Sequence, residues 1–341
     1  MDSILHEIMI KKMIVHILDN NLQLPIMSEE EHPLEEDVHE FMKKHIIKIL
    51  RSDDLKNAIF INDINGIKQL CEKLAIESDN FKNISVRIAS MLFNLMVKHI
   101  DIPSSDLVFS LINVDYINYL SIIKFNYTDS FIHNVYSTGS THINSIIKQK
   151  TTLPSESHKI DEAIIINLDN LDIKLIEKKY EINGEKSFYI STMLLGCSSD
   201  LSNFEKVKIF NRATKQFKDD FLDGDMLKSN EIKKAIIKSI REKEVIDVNE
   251  VAETAFYSNP DLKTAFIEKI EKSGIKDKSI IISEKINEKK YTKQKIETDT
   301  GIEINLPYQY YDNKDKIEFI NNKDGTISIL IKNVGKISDK F

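Results

Sequence analysis

Three charged residues near the middle of the sequence have the spacing of a metal-dependent nuclease. Asp161 precedes Glu177 and Lys179, an order that resembles the D…E-x-K pattern of many such enzymes. In that pattern two carboxylates hold Mg²⁺ and the lysine stabilises charge on the scissile phosphate. The same spacing arises by chance in a chain rich in lysine and glutamate, where it describes an exposed strand end with solvated charges. A nuclease therefore stays open as an alternative.

Other catalytic and metal-binding patterns are incomplete. His39-Glu40 begins the zinc motif H-E-x-x-H, but Lys43 stands where the second histidine belongs. Asp299-Thr300-Gly301 matches the triplet of aspartic proteases, which need two such carboxylates, and the sequence holds one copy. A turn between two strands explains this triplet. The sequence also lacks a Walker loop and a G-x-G-x-x-G motif. We therefore predict no catalytic residue, no metal site and no cofactor.

Two basic clusters could contact phosphate groups. In the first, Lys208, Arg212 and Lys215 recur at helical spacing with no acidic residue between them, and they extend about 10 Å along one helix face. The second runs from Lys263 to Lys295, with ten lysines against five acidic residues. Its densest part comprises Lys289, Lys290, Lys293 and Lys295. A solvated helix face explains either cluster equally well when that cluster is taken alone.

The overall charge argues against nonspecific coating of DNA. The 341-residue chain has a formal net charge of −7. Proteins that coat DNA are usually basic, because phosphate neutralisation and counterion release supply much of their affinity. Binding through a local basic patch is compatible with an acidic whole. We therefore expect any DNA contact to depend on one of the two clusters.

The two cysteines and the N-terminus indicate a cytoplasmic protein. Cys71 and Cys197 are far apart, and a secreted protein of this size usually has more cysteines, in pairs. Both are expected to be free thiols. The first residues lack the order of a signal peptide, and no uncharged apolar run approaches the roughly 18–20 residues of a membrane-spanning helix.

Hydrophobic periodicity predicts an α+β fold. We expect an N-terminal mixed domain over residues 1–198 with a mainly antiparallel sheet. A strand pair within residues 1–28 would turn at Asp19-Asn20-Asn21, and a polar connection would cover residues 151–158. The helices of this domain are predicted at residues 34–51 and 83–99. Its further strands are predicted within residues 107–125, on either side of Asp115, and at 163–168 and 173–176.

The rest of the chain is predicted as a helical segment over residues 199–258 and a small C-terminal α+β domain over residues 259–341. Asn259 is expected to cap a helix whose first residue is Pro260. The chain should end in a hairpin that turns at Asp324-Gly325. We expect one face of this hairpin to be packed, with Ile317, Phe319, Ile327, Ile329 and Ile331 on it.

Several segments, in their order, resemble the bacterial nucleoid-associated protein family of the 37-kDa, NdpA-like class. They are ISVRIASMLFNLM, DIPSSDLVFSLINV, YLSIIKFNY, TTLPSESHKIDEAIII, MLLGCSSDLSNFEKVKIF, TDTGIEINLP and IEFINNKDGTISILIKNV. The resemblance extends along nearly the whole chain. It is similarity of order and spacing, since none of the segments is diagnostic by itself.

The resemblance implies a non-catalytic protein of the cytoplasm and nucleoid, with duplex DNA as its partner. It also implies a link to DNA-topology proteins. The hydropathy of the chain predicts no membrane partner, and a homo-oligomer stays open. The resemblance carries over no site residues, so the basic clusters are assigned to DNA by charge alone. Two alternatives stay open: the nuclease with Asp161, Glu177 and Lys179, and an adaptor that reaches the nucleoid through another protein.

Overall fold

The protein is described here from a computed structural model that covers residues 8–139, 141–223, 225–307, 310 and 313–338. The chain divides into two compact units, which we call unit 1 (residues 1–202) and unit 2 (residues 203–341). Both units contain helices and strands, and the largest sheet is antiparallel. The predicted α+β class is confirmed.

Among its described residues, unit 1 contains three α-helices and eleven strands. The helices are α1 (Glu36–Leu50), α2 (Ile67–Ile76) and α3 (Phe81–Lys98). The strands are β1 (Met9–Leu18), β2 (Lys56–Phe60), β3 (Ser105–Val114), β4 (Ile117–Asn126), β5 (Thr128–Thr138), β6 (Thr141–Thr152), β7 (Glu162–Asn167), β8 (Ile173–Ile176), β9 (Lys179–Ile182), β10 (Glu185–Phe188) and β11 (Cys197–Ser199). Seven of the strands form one antiparallel sheet in the order β1-β3-β4-β7-β8-β2-β11.

Both faces of the seven-stranded sheet are covered by helices. Along β3, Leu107 and Phe109 join the hydrophobic cluster that contains α2 and α3. The alternate residues Val108 and Ile112 join the cluster that contains α1. Side chains alternate between the faces of a strand, so a strand that is apolar at nearly every position must be buried on both sides. This explains why β3 and β4 each contain a run of six consecutive buried residues.

The predicted strand pair within residues 1–28 is wrong for most of its length. After the turn, only an isolated bridge joins Ile17 to Ile26. Strand β1 instead pairs with β3 from Met9 to Leu18. That pairing satisfies a longer run of backbone groups and places β1 between the two helical layers, which a local hairpin would not do.

The hairpin of β5 and β6 was not expected from the sequence. The two strands pair with each other from Thr128 to Thr152 and form a separate two-stranded sheet. Many of its apolar side chains are exposed, including Phe131 and Ile146, which are 72% and 78% exposed. The expected polar connection over residues 151–158 overlaps the end of β6.

Both cysteines are free, as expected, and the structure buries both of them. Burial raises the pKa of the Cys71 thiol to about 12 and that of the Cys197 thiol to about 11. Since the thiolate is the nucleophilic form, neither side chain is activated for chemistry at neutral pH.

The backbone before Cys197 requires a glycine. Gly196 ends a π-helical turn with a φ of 63°, and its carbonyl accepts from the amides of Ile61 and Asn62. A β-carbon at this position would lie 2.2 Å from the Asn62 carbonyl oxygen. The close approach of the two segments therefore depends on the missing side chain.

Unit 2 has five helices and six short strands among its described residues. The helices are α4 (Asn203–Phe221), α5 (Met226–Lys243), α6 (Val248–Ala255), α7 (Pro260–Lys272) and α8 (Glu284–Lys290). The strands form three antiparallel pairs: β12 (Val245–Asp247) with β13 (Ser279–Ile281), β14 (Lys293–Glu297) with β15 (Glu303–Pro307), and β16 (Ile317–Asn321) with β17 (Ile327–Ile331).

An aromatic cluster forms the centre of unit 2. The Phe217 ring on α4 lies 5.2 Å from Phe266 on α7 and 5.5 Å from Phe256, in edge-on or tilted geometry that favours aromatic pairs. Helix α7 begins as predicted, because the Asn259 side chain accepts a hydrogen bond from the Leu262 amide. The residues of this core come from both sides of the predicted boundary at residue 258.

The C-terminal hairpin has the predicted turn but not the predicted packing. Gly325 has a φ of 85° and the Asp324 carboxylate accepts from the Thr326 amide, which fixes the turn. Of the five residues expected on a packed face, Ile317 is buried, whereas Ile327 and Ile331 are 50% and 53% exposed. Alternation along a strand predicts which residues share a face, but it does not predict whether another element covers that face.

Replacing Phe266 with Ala tests the core of unit 2. Phe266 is fully buried, so the Phe266→Ala substitution should lower the free energy of unfolding by about 3–5 kcal/mol. Tyr257 is 85% exposed, and Tyr257→Ala should cost less than about 0.5 kcal/mol. Hydrogen exchange of the α4 and α7 amides measures the change in the free energy of unfolding for both variants. Equal effects of the two substitutions would contradict this packing.

Candidate nucleic-acid interface

Helix α4 presents the first predicted basic cluster on its outer side. Val207, Phe210 and Phe217 are fully buried on the inner side of the helix. Lys208, Arg212 and Lys215 are exposed. The buried stripe determines which side of an amphipathic helix faces solvent, so the three cations point away from the core of unit 2 together.

The densest part of the second predicted cluster lies at the end of α8 and the start of β14. The Ser283 hydroxyl accepts from the Ile286 amide at the start of α8, and Lys289, Lys290 and Lys293 are exposed. Lys295 lies in β14, and its side chain falls outside the described residues. The Tyr291 hydroxyl donates to Asn211 on α4 at 3.2 Å, which ties this segment to the first cluster.

Lys215 of the first cluster and Lys290 and Lys293 of the second line one pocket of about 380 Å³. We call it the lysine pocket; it is lined by Lys215, Lys218, Lys233, Lys290, Lys293 and Thr214, among others. None of its described lining residues is acidic. We call the exposed cations of the two clusters the basic surface; these are Lys208, Arg212, Lys215, Lys289, Lys290 and Lys293.

Sequence reasoning missed Lys218 and Lys233. Lys218 follows Lys215 by three residues, so helical spacing could have placed both on neighbouring faces of α4. Lys233 lies on α5, and it reaches the lysine pocket because α5 packs in the same core as α4. No residue spacing along the chain predicts that Lys233 reaches the lysine pocket.

Mutual repulsion and burial act on the lysines of the pocket. Burial, and then the charge of Lys233, lower the pKa of Lys218 to about 8. Burial also lowers the pKa of Lys233. The pKa of Lys290 is lowered by burial and by the charge of Lys208, which belongs to the other cluster. Positive charge is thus concentrated at this pocket, and an anion bound there would relieve the repulsion.

Ion pairs neutralise neighbouring lysines but not the basic surface. Lys206 pairs with Asp277, and Lys269 pairs with Asp220 at 2.8 Å. In the part of the chain that the structure describes, the six cations of the basic surface form no ion pair with a carboxylate. Their charges are therefore available to an external anion.

The charge of the chain is divided unequally between its units. Unit 2 has 27 lysine and arginine residues against 25 acidic residues, a net charge of +2. Unit 1 has 20 against 29, a net charge of −9. The acidic total therefore belongs to unit 1, and the repulsion of DNA that it implies does not arise from the unit that carries the basic surface.

Each of the three residues of the nuclease pattern makes a different contact in unit 1. The Asp161 carboxylate lies 2.9 Å from the Lys178 ammonium. The Glu177 side chain is fully buried, accepts from the Ser191 amide at 3.1 Å and lies 3.5 Å from the Lys56 ammonium. The Lys179 ammonium lies 4.8 Å from the centre of the Phe188 ring.

The incomplete motifs lie at separate places in the structure. Asp299-Thr300-Gly301 forms the turn between β14 and β15, as expected. His39 lies on α1 at 4.0 Å from Glu40. Among the described residues, no group of three or more histidine, cysteine, aspartate or glutamate side chains is placed to hold a metal ion.

A comparison with protein families identifies the chain. A family model described as nucleoid-associated protein YejK matches residues 14–338. The chain belongs to this family. The expected resemblance to nucleoid-associated proteins is confirmed, and family membership supports a role at the nucleoid. A comparison with curated proteins finds no match. Over the residues that the structure describes, no helix has both the length and the apolar character needed to cross a membrane.

The lowered pKa of Lys218 implies that the free energy of unfolding depends on pH. Its pKa of about 8 in the folded protein lies below the value near 10.4 of an exposed lysine, so the unfolded chain binds more protons between these values. The destabilising contribution of this group is complete below about pH 8 and decreases as pH rises to about 10.4. Lys218→Gln should therefore raise the free energy of unfolding at pH 7, by on the order of 1 kcal/mol after solvent screening.

Denaturant unfolding at pH 7 and near pH 10 measures this effect. The increase in the free energy of unfolding caused by Lys218→Gln should be smaller at the higher pH. The exposed Lys238 on the neighbouring helix α5 provides the control, since Lys238→Gln should change little at either pH. A Lys218→Gln protein that is less stable than the parent at pH 7 would refute the assignment.

Proposed function

We propose that this protein binds duplex DNA through the basic surface of unit 2, without catalysing a reaction on it. The single observation that carries the proposal is that members of two basic clusters distant in sequence, Lys215 of one and Lys290 and Lys293 of the other, line one pocket. A solvated helix face explains either cluster alone, but it does not explain why both are at the same place. Membership of the nucleoid-associated family supports DNA as the polyanion concerned.

Binding of this kind depends on phosphate contacts and carries little sequence preference. Lysine and arginine side chains neutralise backbone phosphates and release counterions, which makes the affinity strongly dependent on salt. The net charge of +2 on unit 2 makes that unit the more favourable surface for DNA. The nucleoid of the cytoplasm is the location that this function implies.

Charge removal on α4 tests the proposal. Replacing Lys208, Arg212 and Lys215 together with Gln should weaken binding to labelled duplexes of different sequence to the same extent. It should also reduce the slope of log affinity against log salt by roughly 0.9 for each phosphate that the protein no longer neutralises. The same measurement on a protein with Lys289, Lys290 and Lys293 replaced ranks the two halves of the basic surface.

A matched control comes from unit 1. Lys73, Arg87 and Lys98 are exposed and comprise the same residue types, so their replacement with Gln changes the net charge equally. The control should retain the parental slope. If the control and the α4 variant lose affinity equally, DNA responds to net charge alone and the basic surface is not the binding site.

We propose that the protein does not cleave DNA because Glu177 and Asp161, the candidate metal ligands, are engaged in other contacts. Glu177 is enclosed and already accepts a backbone hydrogen bond, while Asp161 is paired with Lys178. We therefore expect no cleavage of linear or supercoiled DNA with Mg²⁺ or Mn²⁺ on agarose gels. Metal-dependent cleavage that disappears in Asp161→Ala would overturn the non-catalytic assignment and establish the nuclease.

A second candidate function is an adaptor that reaches the nucleoid through a protein. The observation that favours it is the β5–β6 hairpin, whose apolar side chains are exposed on both of its faces, with Phe131 on one and Tyr136 on the other. DNA-topology proteins and a second copy of the chain are the partners proposed in this case. Retention of duplex DNA by the purified protein at low salt favours direct binding, and its absence favours the adaptor.

A further inference from the structure

The lysine pocket has features that the exposed cations around it do not have. Lys218 and Lys233 are half-buried, whereas Lys215, Lys290 and Lys293 are exposed. The five ammonium groups come from α4, α5, the end of α8 and the start of β14. Charges from four elements therefore line one open pocket instead of following a single helix face.

A polar group without a partner also lines the lysine pocket. Thr214 is 6% exposed, and within the described residues its hydroxyl has no hydrogen-bond partner. A buried hydroxyl without a partner is costly, so native structures usually satisfy such groups. A bound oxyanion would supply the acceptor that this hydroxyl lacks.

The density of charge in the pocket indicates the class of ligand. A DNA strand presents one charge per phosphate, spaced along an extended backbone. Five lysines around about 380 Å³ require several negative charges within a small volume. Lysine is a phosphate-binding residue that acts as a point charge and imposes no planar geometry, which suits a compact polyphosphate.

We infer that the lysine pocket binds a compact polyphosphate group, such as the diphosphate or triphosphate of a nucleotide. The half-buried Lys218 and Lys233 contact the phosphate oxygens from α4 and α5, and Lys215, Lys290 and Lys293 close around them. Tyr291 and Ile237 supply aromatic and apolar surface beside the charged groups, which suits an organic substituent on the phosphate. This binding does not depend on the proposed contact with DNA.

Calorimetric titration of the full chain with inorganic pyrophosphate tests the inference. One equivalent should bind to the parent protein, and Lys218→Gln and Lys233→Gln should each weaken binding about tenfold, equivalent to about 1.4 kcal/mol. Lys238→Gln, on the same helix as Lys233 but outside the pocket, should leave binding unchanged. Pyrophosphate should also raise the melting temperature of the parent more than that of the two pocket variants.

The same variants distinguish a free polyphosphate from the phosphates of DNA. Each is titrated with a short duplex as well as with pyrophosphate. Weakened pyrophosphate binding with retained duplex binding supports the inference. Failure of the parent to bind pyrophosphate at about 10 mM, or equal weakening by Lys238→Gln, overturns it. Weakened duplex binding in a protein that does not bind pyrophosphate also overturns it, and assigns the pocket to DNA.

Discussion

The burial of the apolar side of α4 is the interaction on which the candidate site depends. Phe210 and Phe217 are fully buried against the aromatic core that includes Phe266. Both rings lie on the same side of α4, so burying them fixes the rotation of the helix about its axis. Lys208, Arg212 and Lys215 therefore face outward. The same core holds α5, and so it also determines where Lys233 lies.

Stability and binding have opposing requirements at this site. Burial and the proximity of Lys233 disfavour the charged form of Lys218, and the neighbouring Asp219 carboxylate offsets only part of this. Natural proteins retain such locally unfavourable arrangements mainly where function needs them. An anion that binds the folded protein and not the unfolded chain restores stability, since binding and folding are linked.

The sequence pattern predicted those features that depend on residues close together in the chain. The spacing of Lys208, Arg212 and Lys215 correctly indicated one exposed helix face, and Asn259 correctly indicated the start of α7. The lysine pocket was not predictable in this way, because Lys233 approaches it through tertiary packing. Likewise, β1 pairs with β3, which is distant in sequence, and the turn residues that follow β1 carry no information about that partner.

Covalent labelling of lysine side chains, read by mass spectrometry with and without duplex DNA, tests most directly whether DNA binds the basic surface. We predict that DNA protects Lys208, Lys215, Lys290 and Lys293, whose side chains are exposed in the free protein. Lys238, and the exposed Lys73 and Lys98 of unit 1, should react equally in both samples. Protection confined to lysines of unit 1, or bound DNA with no protection of the basic surface, would contradict binding at this surface.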